Sequence, residues 1–324
     1  MIQEKIKQKL LKNKYKIYRH SAIQICRWTK KALRNSNAKC YKEKFYGVDT
    51  HRCVQFSPAA IWCPNNCIFC WRTINYIKPK NYKQIKHSSP KTIINNLVEL
   101  RKLLISGFKG SSKINIKKFK ESYNLFPSHW AISLSGEPCL YPYLPELIKI
   151  LKNKKEAKSI FLVTNGLYPK MIKKLKNSLP TQLYVSMAYS NETLFKKITN
   201  SKLKNAWKRY LETLNLLKNL KCRTVIRLTL IKDLNDYSLK EYSNLIKLAS
   251  PDFIEIRSYI DLSKAKENLG YKYMLNFQEL KSFSNKLLKD LPKYKYEDSM
   301  KESLVILLSK RKPRYNKFIK NVHS

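Results

Sequence analysis

Short apolar runs alternate with longer helical patterns from residue 54 onward, and this alternation constrains the fold more than any other feature. Each run has the length of a buried strand, and the gaps carry apolar residues at helical spacing. The runs are residues 54–61, 130–134, 159–163, 182–187, 224–231 and 253–257; the helical patterns are residues 90–105, 143–152, 168–177, 191–218 and 239–248. Six strands with helical crossovers predict a parallel α/β fold, either an open sheet or a full or partial barrel.

The two ends of the chain differ from this alternating core. Residues 1–53 are strongly basic and are expected to form short helices, such as one over residues 21–34, followed by an irregular stretch. An apolar run at residues 304–308 is a candidate for an extra edge strand. We therefore divide the chain into a basic N-terminal extension (residues 1–53), a core (residues 54–290) and a basic C-terminal segment (residues 291–324).

Membrane and export signals are not recognised in the sequence. The apolar runs fall short of the roughly 18 residues that span a bilayer. Residues 1–16 are rich in lysine and lack the apolar core of a signal peptide. We expect a cytoplasmic protein with no membrane partner.

Two of the six glycines follow predicted strands. Gly136 lies in Ser-Gly-Glu-Pro (residues 135–138) and Gly166 in Thr-Asn-Gly (residues 164–166). Because α/β folds place their active sites at the carboxyl ends of strands, these segments are candidate site loops. Ordinary turn chemistry is the alternative for either glycine.

Three cysteines, Cys63, Cys67 and Cys70, follow the first predicted strand at spacings of four and three. In a reducing compartment such clustering is typical of metal binding. Zinc is one alternative, although a closed zinc site takes four ligands, often as paired Cys-x-x-Cys units. Three thiolates on one loop suit three corners of a 4Fe-4S cluster and leave one iron open to bind and reduce a ligand.

The spacing Cys-x-x-x-Cys-x-x-Cys, with Phe69 between the last two cysteines, resembles the motif of the radical S-adenosylmethionine superfamily. The resemblance implies a partial (β/α)6 barrel in which the open iron binds S-adenosyl-L-methionine. One electron then cleaves this cofactor to methionine and a 5′-deoxyadenosyl radical. By the same resemblance, the cofactor-binding residues are Ser135, Gly136, Glu137, Thr164, Asn165 and Arg227. For Arg227, a phosphate-binding or salt-bridged arginine is the alternative.

Cys26, Cys40 and Cys53 are too widely spaced for one loop but are compatible with a second three-cysteine site. Buried or idle thiols are the alternative. The surrounding segments resemble the tRNA 4-demethylwyosine synthase family: HSAIQIC (residues 20–26), CYKEKFYG (40–47), HRC (51–53), CWR (70–72), SGFKG (106–110) and GEPCLYP (136–142). This resemblance covers roughly residues 18–260.

Members of that family are lyases that condense N1-methylguanosine 37 of phenylalanine tRNA with pyruvate to form 4-demethylwyosine. Lys42 matches the family lysine proposed to form a Schiff base with pyruvate. Such a lysine must spend time as a neutral amine, which burial or a neighbouring cation such as Lys44 promotes. The resemblance implies two 4Fe-4S clusters, one on Cys63, Cys67 and Cys70 and the other on Cys26, Cys40 and Cys53.

The family chemistry implies that the radical removes hydrogen from the N1-methyl group and that the carbon radical attacks the pyruvate carbonyl. The guanine must be splayed from the anticodon loop onto aromatic or guanidinium planes, for which Trp71 and Arg72 are candidates. Core packing is the alternative for these side chains. A flavodoxin-like domain is not recognised, so we expect an external ferredoxin- or flavodoxin-type electron donor. We also expect the protein to be a monomer.

The chain departs from the family pattern after the fourth predicted strand. It reads Val-Ser-Met-Ala over residues 185–188, where many members carry an acidic residue at the position of Ala188. Beyond residue 258 the resemblance is weak, so no site residue is carried over to the C-terminal part.

The net charge is the strongest sign of a partner. Lys and Arg number 66 against 22 Asp and Glu, which gives +44 and argues against most enzymes of small-molecule metabolism. A polyanion such as RNA is the favoured partner, with lysine-rich compositional drift and an anionic membrane surface as alternatives.

Two other functions are kept beside the lyase. One is another radical RNA-modifying enzyme, a methylthiotransferase or an rRNA methyltransferase, which needs no pyruvate. The other is a noncatalytic zinc-containing RNA-binding protein, which would normally bring its ligands in fours.

Overall fold

The computed structural model describes residues 2–34, 37–72 and 79–319. Within these residues ten strands form one sheet: β1 (Lys16–Tyr18), β2 (Ser21–Gln24), β3 (Cys53–Ser57), β4 (His129–Ile132), β5 (Ser159–Thr164), β6 (Gln182–Met187), β7 (Arg223–Leu230), β8 (Phe253–Ser258), β9 (Tyr294–Met300) and β10 (Val305–Lys310).

Helices connect most of the strands, and one helix precedes the first strand. They are α1 (Glu4–Lys12), α2 (Arg27–Arg34), α3 (Tyr41–Tyr46), α4 (Pro79–Lys83), α5 (Pro90–Ser106), α6 (Ile116–Asn124), α7 (Leu144–Lys152), α8 (Pro169–Lys174), α9 (Glu192–Thr199), α10 (Ala206–Leu217), α11 (Leu239–Ala249), α12 (Lys264–Asn268) and α13 (Phe277–Lys289). Several begin at a side chain that accepts a backbone N–H; Ser89, for example, caps α5 through the N–H of Thr92 at 3.2 Å. Among the described residues, no helix is long and apolar enough to cross a membrane.

The sheet is parallel in its centre and antiparallel at its ends. Strands β3 to β8 lie side by side in chain order and run parallel, so the prediction of a six-stranded parallel α/β core is confirmed. Strands β1 and β2 extend one end, and β10 and β9 extend the other, all with antiparallel pairing. The sheet therefore includes strands from both basic ends of the chain.

Local departures from the sequence prediction have simple backbone causes. The pattern at residues 191–218 is two helices, because Asn200 and Asn205 adopt left-handed conformations with φ of 42° and 54°. The helix expected over residues 21–34 begins with strand β2 instead, and only its second half is helical. The run at residues 304–308 forms β10, but β10 lies between β8 and β9, so β9 is the edge strand.

The two faces of the sheet have different coverings. One face packs against the crossover helices α5, α7, α8, α10 and α11, and these contacts form the larger core. The other face is covered by helix α3, whose Tyr41, Phe45 and Tyr46 pack against Phe161 and Tyr184 of β5 and β6. Because α3 lies between Cys40 and Cys53, the basic N-terminal segment supplies part of the inner face.

Candidate active site

Two groups of three cysteines lie at opposite ends of strand β3. Cys53 is the first residue of β3, and Cys63, Cys67 and Cys70 follow its carboxyl end at Ser57. We call Cys63, Cys67 and Cys70 the loop triad, and Cys26, Cys40 and Cys53 the N-terminal triad. The strand thus has one cysteine group at each end.

The loop triad is held by the neighbouring helix α9. The N–H groups of Asn66 and Ile68 donate to the carbonyls of Thr199 and Ile198, at 2.8 and 3.0 Å. Within the triad, the N–H of Cys70 donates to the carbonyl of Cys67 at 3.1 Å. These bonds fix the backbone that carries the three thiols.

The donor set of the loop triad fits an iron–sulfur cluster better than a single ion. In residues 2–34, 37–72 and 79–319, no three His, Cys, Asp or Glu side chains are placed to share one metal ion. Zinc would need its sulfur ligands about 2.3 Å away, whereas each cysteine of a 4Fe-4S cluster binds a different iron. Burial raises the pKa of Cys63 to about 12, so metal binding must displace its proton.

A cation accompanies these thiols. The Nε atom of Arg72 is buried and has no hydrogen-bond partner in the described part of the chain. Burial opposes the charge of Arg72, but the surrounding groups, Cys70 and Cys63 first among them, together raise the Arg72 pKa above its usual value. An anionic cluster on the loop triad would face this guanidinium. Trp71 is 37% exposed, and residues 73–78 lie outside the described residues.

The segment Ser135–Gly136–Glu137 is clamped onto the loop that leads to the triad. Gly136 has φ of 67°, and a Cβ added there would lie 1.7 Å from the carbonyl oxygen of Ala59. The N–H of Glu137 donates to the carbonyl of Trp62 at 2.8 Å, and the hydroxyl of Ser135 donates to the carbonyl of Ala60. Only glycine fits at position 136.

The carboxylate of Glu137 ties together two strand ends. It is buried and accepts hydrogen bonds from the Thr164 hydroxyl at 2.6 Å, the Asn165 N–H at 2.8 Å and the Cys139 N–H at 3.0 Å. The Asn165 amide reaches toward the Cys63 sulfur at 3.8 Å. Five of the predicted cofactor-binding residues are therefore brought together beside Cys63: Ser135, Gly136, Glu137, Thr164 and Asn165.

Arg227, the sixth predicted cofactor-binding residue, is engaged in a different network. Its Nε donates to Glu255 at 3.1 Å, its Nη2 donates to the Tyr41 hydroxyl at 3.0 Å, and its guanidinium lies 4.3 Å from the ring centre of Tyr184. Glu255 is fully buried and also accepts from the hydroxyls of Tyr46 and Tyr184, at 2.8 and 2.9 Å. The structure thus shows the salt bridge of the alternative, and a cofactor-binding role for Arg227 stays a prediction.

The N-terminal triad is assembled from three separate segments through Thr50. The carbonyl of Thr50 accepts from the Thr29 hydroxyl at 3.0 Å, and its hydroxyl accepts from the Cys40 N–H at 3.1 Å. Cys26 accepts the N–H of Thr29 at 3.3 Å. Burial first, and then Cys26, raise the pKa of Cys53 to about 12.

Lys42 projects from α3 against the inner face of the sheet. Its Nζ lies 4.1 Å from the ring centre of Phe161 and 5.2 Å from that of Tyr184. Burial first, and then the charge of Arg227, lower the pKa of Lys42 to about 8. The expectation that Lys44 supplies the neighbouring cation is wrong: Lys44 points outward, bonds to the carbonyl of Ser299 and lies 3.2 Å from Asp298.

The turn after β6, which contains Ala188, is held by polar groups from other parts of the chain. Ala188 accepts from the Asn235 amide at 2.7 Å through its carbonyl. The carboxylate of Glu241 in α11 accepts from Ser190 at 2.6 Å and from Asn191 at 2.8 Å. The carboxylate of Glu241 therefore brings an acidic group from α11 to this turn.

Comparison with known proteins shows which superfamily model the chain matches and which relatives it is similar to. Residues 59–246 match the model of the radical SAM superfamily. The chain is 38% identical over 292 residues to the S-adenosyl-L-methionine-dependent tRNA 4-demethylwyosine synthase of Pyrococcus horikoshii, covering 90% of this chain and 84% of the relative. It is 40% identical over 321 residues to that of Methanocaldococcus jannaschii, covering 98% and 99%. Against the human enzyme TYW1, 35% identity covers 96% of this chain but 42% of the relative.

Solved structures agree with these relatives. A structure of TYW1 with a lysine-pyruvate adduct bound superposes with a TM-score of 0.87 at 37% identity, covering 98% of this chain and 99% of the other. The crystal structure of archaeal TYW1 superposes with a TM-score of 0.79 at 35% identity, covering 98% and 100%. The expected radical SAM partial-barrel fold is therefore confirmed.

Proposed function

The chain belongs to the family of S-adenosyl-L-methionine-dependent tRNA 4-demethylwyosine synthases, and we propose that it condenses N1-methylguanosine 37 of phenylalanine tRNA with pyruvate to form 4-demethylwyosine. The observation that carries the proposal is Lys42, a shielded amine on the inner face of the sheet, in a chain similar to a protein with a lysine-pyruvate adduct. The noncatalytic zinc-containing RNA-binding protein considered from the sequence is excluded by this membership.

Membership of the radical SAM superfamily assigns S-adenosyl-L-methionine and a 4Fe-4S cluster to the chain. In our proposal Cys63, Cys67 and Cys70 hold that cluster, and the five residues gathered beside Cys63 shape the cofactor site. When bound, the cluster and the cofactor supply a 5′-deoxyadenosyl radical able to remove a hydrogen atom from the methyl group of the base. The chain's own task there is to orient the ligands and exclude water, for which the buried Glu137 network is suited.

A second 4Fe-4S cluster on Cys26, Cys40 and Cys53 is part of the proposal. Its support is Thr50, which lies three residues before Cys53 and hydrogen-bonds to the segments of Cys26 and Cys40. Further support comes from the nearby cations Lys42 and Arg101, which oppose the rise of the Cys53 pKa. Three thiolates provide the same incomplete ligand set as the loop triad. An anion such as the pyruvate carboxylate is suited to the open position.

Lys42 forms the Schiff base in this scheme. The neutral amine attacks the ketone carbon of pyruvate, a C=N bond forms, and the ketone oxygen leaves as water. The lowered pKa of Lys42 increases the fraction of neutral amine, and the rings of Phe161 and Tyr184 restrict where its Nζ can go. Arg227 contributes a fixed positive charge that disfavours protonation of Lys42, while Glu255 anchors Arg227.

The proposed partners follow from the same scheme. The net charge of +44 supports binding of the tRNA anticodon loop. The reaction needs an external one-electron donor of the ferredoxin or flavodoxin type. We propose that the protein acts as a monomer.

The test is an anaerobic reaction of N1-methylguanosine-containing phenylalanine tRNA with the cluster-loaded protein, S-adenosyl-L-methionine, a reductant and carbon-labelled pyruvate. We expect labelled tricyclic nucleoside from the unaltered protein. Lys42→Ala should abolish the nucleoside while cofactor cleavage continues, because the loop triad is untouched. Lys44→Ala is the matched control on the same helix and should retain product. Equal loss in both variants, or no product from the intact holoprotein, would contradict the proposal.

A further inference from the structure

Arg101 occupies a position of α5 where the pattern calls for an apolar residue. It lies on the same face as Ile94, Leu97 and Ile105, all of which are buried in the core. The side chain of Arg101 is itself only 2% exposed. Burying a guanidinium without a partner is costly, so its charge needs a compensating group.

The hydrogen bonds of Arg101 do not supply that compensation. Its Nη2 donates to the carbonyl of His51 at 2.8 Å and its Nη1 donates to the carbonyl of Ser122, and both acceptors are neutral. Its Nε is buried without a partner in the described part of the chain. The nearby carboxylate of Glu121 is taken by the ring of His51, at 2.6 Å. Across the described ranges, no carboxylate lies within ion-pair distance of Arg101.

The guanidinium of Arg101, whose charge has no counter-ion in the described residues, lies near the N-terminal triad. His51, whose carbonyl it binds, is two residues before Cys53. Burial lowers the pKa of Arg101, whereas Cys53 and Cys26, as thiolates, would favour its charged form. Arg52 is a second nearby cation, and its buried Nε has no hydrogen-bond partner among the residues that the structure describes. In the described structure, apart from the Glu121 carboxylate that His51 holds, the groups that could become an anion near Arg101 are the cysteines of this triad.

We propose that Arg101 is the internal counter-ion of the N-terminal triad and raises the reduction potential of the cluster held there. This inference rests on the second cluster of the proposed function. A 4Fe-4S cluster on three thiolates is an anion, and reduction adds one more negative charge. A fixed positive charge in a buried, low-dielectric setting stabilises the reduced form more than the oxidised form. Arg101 thus acts through the cluster as a positioning residue. Its fixed charge affects the cluster, and the side chain need not touch the substrate.

The experiment compares Arg101→Gln with Arg101→Lys in the full chain loaded with iron and sulfide. Glutamine removes the charge but can still donate to a carbonyl, whereas lysine keeps the charge. The readout is a redox titration followed by electron paramagnetic resonance, with the N-terminal signal identified by its loss in Cys26→Ala. For Arg101→Gln we expect at least a tenfold smaller ratio of reduced to oxidised cluster at a fixed potential. For a one-electron couple this equals a shift of about 59 mV to lower potential.

Two controls separate charge from structure. Arg101→Lys should stay within threefold of the unaltered protein. Arg223→Gln is the matched buried-arginine control, because Arg223 is 5% exposed and also donates to two backbone carbonyls, those of Asn316 and Lys317. It should leave the potential of the N-terminal cluster unchanged. The signal of the loop-triad cluster serves as an internal reference in every sample.

Each contrary result has a distinct meaning. An unchanged potential in Arg101→Gln, or an equal shift in Arg223→Gln, overturns the counter-ion role while leaving the proposed function standing. Circular dichroism of the cluster-free proteins tests a purely structural role. If Arg101→Gln is then unfolded whereas the unaltered protein is folded, Arg101 is needed for folding itself and the inference is wrong. About four irons per chain instead of about eight, unaffected by Cys26→Ala, removes the second cluster itself.

Discussion

Each of the two cysteine triads offers three thiols, but the triads are built in different ways. The loop triad is continuous in sequence, and its supports are contacts between loops and helix ends around the carboxyl edge of the sheet, such as Glu137 N–H to Trp62. The N-terminal triad draws its cysteines from segments that precede α2, begin α3 and begin β3. Thr50, three residues before Cys53, bonds to the other two of those segments.

This difference has a physical consequence. The three cysteines of the loop triad lie within eight residues, so they can approach their final geometry locally. What they need is a fixed backbone beneath the loop, which we call its platform. The N-terminal triad must gather residues 26 to 53 and a buried cation from α5, so it depends on tertiary contacts over a longer span. We expect each triad to be open to disruption without the other.

The largest effect is expected from Gly136→Ala, which would disturb the platform of the loop triad. The new Cβ would meet the Ala59 carbonyl at 1.7 Å, in a backbone conformation with φ of 67° that L residues rarely adopt. We expect a loss of about 3 kcal/mol or more in the free energy of unfolding. Cofactor cleavage should fall roughly a hundredfold.

The matched control is Gly107→Ala, where no atom lies within 4 Å of an added Cβ. Chemical denaturation and an assay of 5′-deoxyadenosine measure the two effects. Electron paramagnetic resonance should still detect the N-terminal cluster in any Gly136→Ala protein that folds. Loss of that cluster together with the loop-triad cluster would mean that the triads are not independent.

A smaller effect is expected from Thr50→Val, which attacks the N-terminal triad. Valine keeps the shape but leaves the Cys40 N–H and the Glu43 carboxylate without the hydroxyl, which lies 3.1 and 2.5 Å from them. We expect a cost of about 1 to 3 kcal/mol. The N-terminal cluster should be lost preferentially, while iron bound by the loop triad and cofactor cleavage persist.

Thr92→Val, at an exposed position at the start of α5, is the control for Thr50→Val and should change stability by less than about 0.5 kcal/mol. Iron and sulfide analysis of both variants, combined with denaturation curves, decides the matter. If Thr50→Val keeps full occupancy of both clusters, the hydroxyl is not what gathers the N-terminal triad.

Sequence reasoning was most successful where the determinants are local. The run at residues 182–187 coincides with β6, and the loop triad follows from spacing on one loop after a strand. The two-helix break at Asn200 and Asn205 was missed, because an asparagine in a left-handed conformation looks like any polar helix residue in a periodic pattern.

Long-range partners were the part that sequence could not provide. Lys44 is close to Lys42 in sequence but points outward, whereas Arg227 approaches Lys42 from a strand far along the chain. A usable signal was present: Arg227 and Glu255 are charged residues inside apolar strand runs, and they are register partners on β7 and β8. Arg101 on the apolar stripe of α5 is a signal of the same kind. Charged residues at core positions mark sites whose counter-charges come from elsewhere in the fold.

The central claim, that Lys42 is the pyruvate-binding amine, is tested most directly by chemical trapping. The protein is incubated anaerobically with carbon-labelled pyruvate, reduced with borohydride, digested and mapped by mass spectrometry. We predict that the label is found on Lys42, is absent from Lys42→Ala and is retained in Lys44→Ala. Label spread among the exposed members of the 54 lysines, or an unmodified Lys42, would contradict the account.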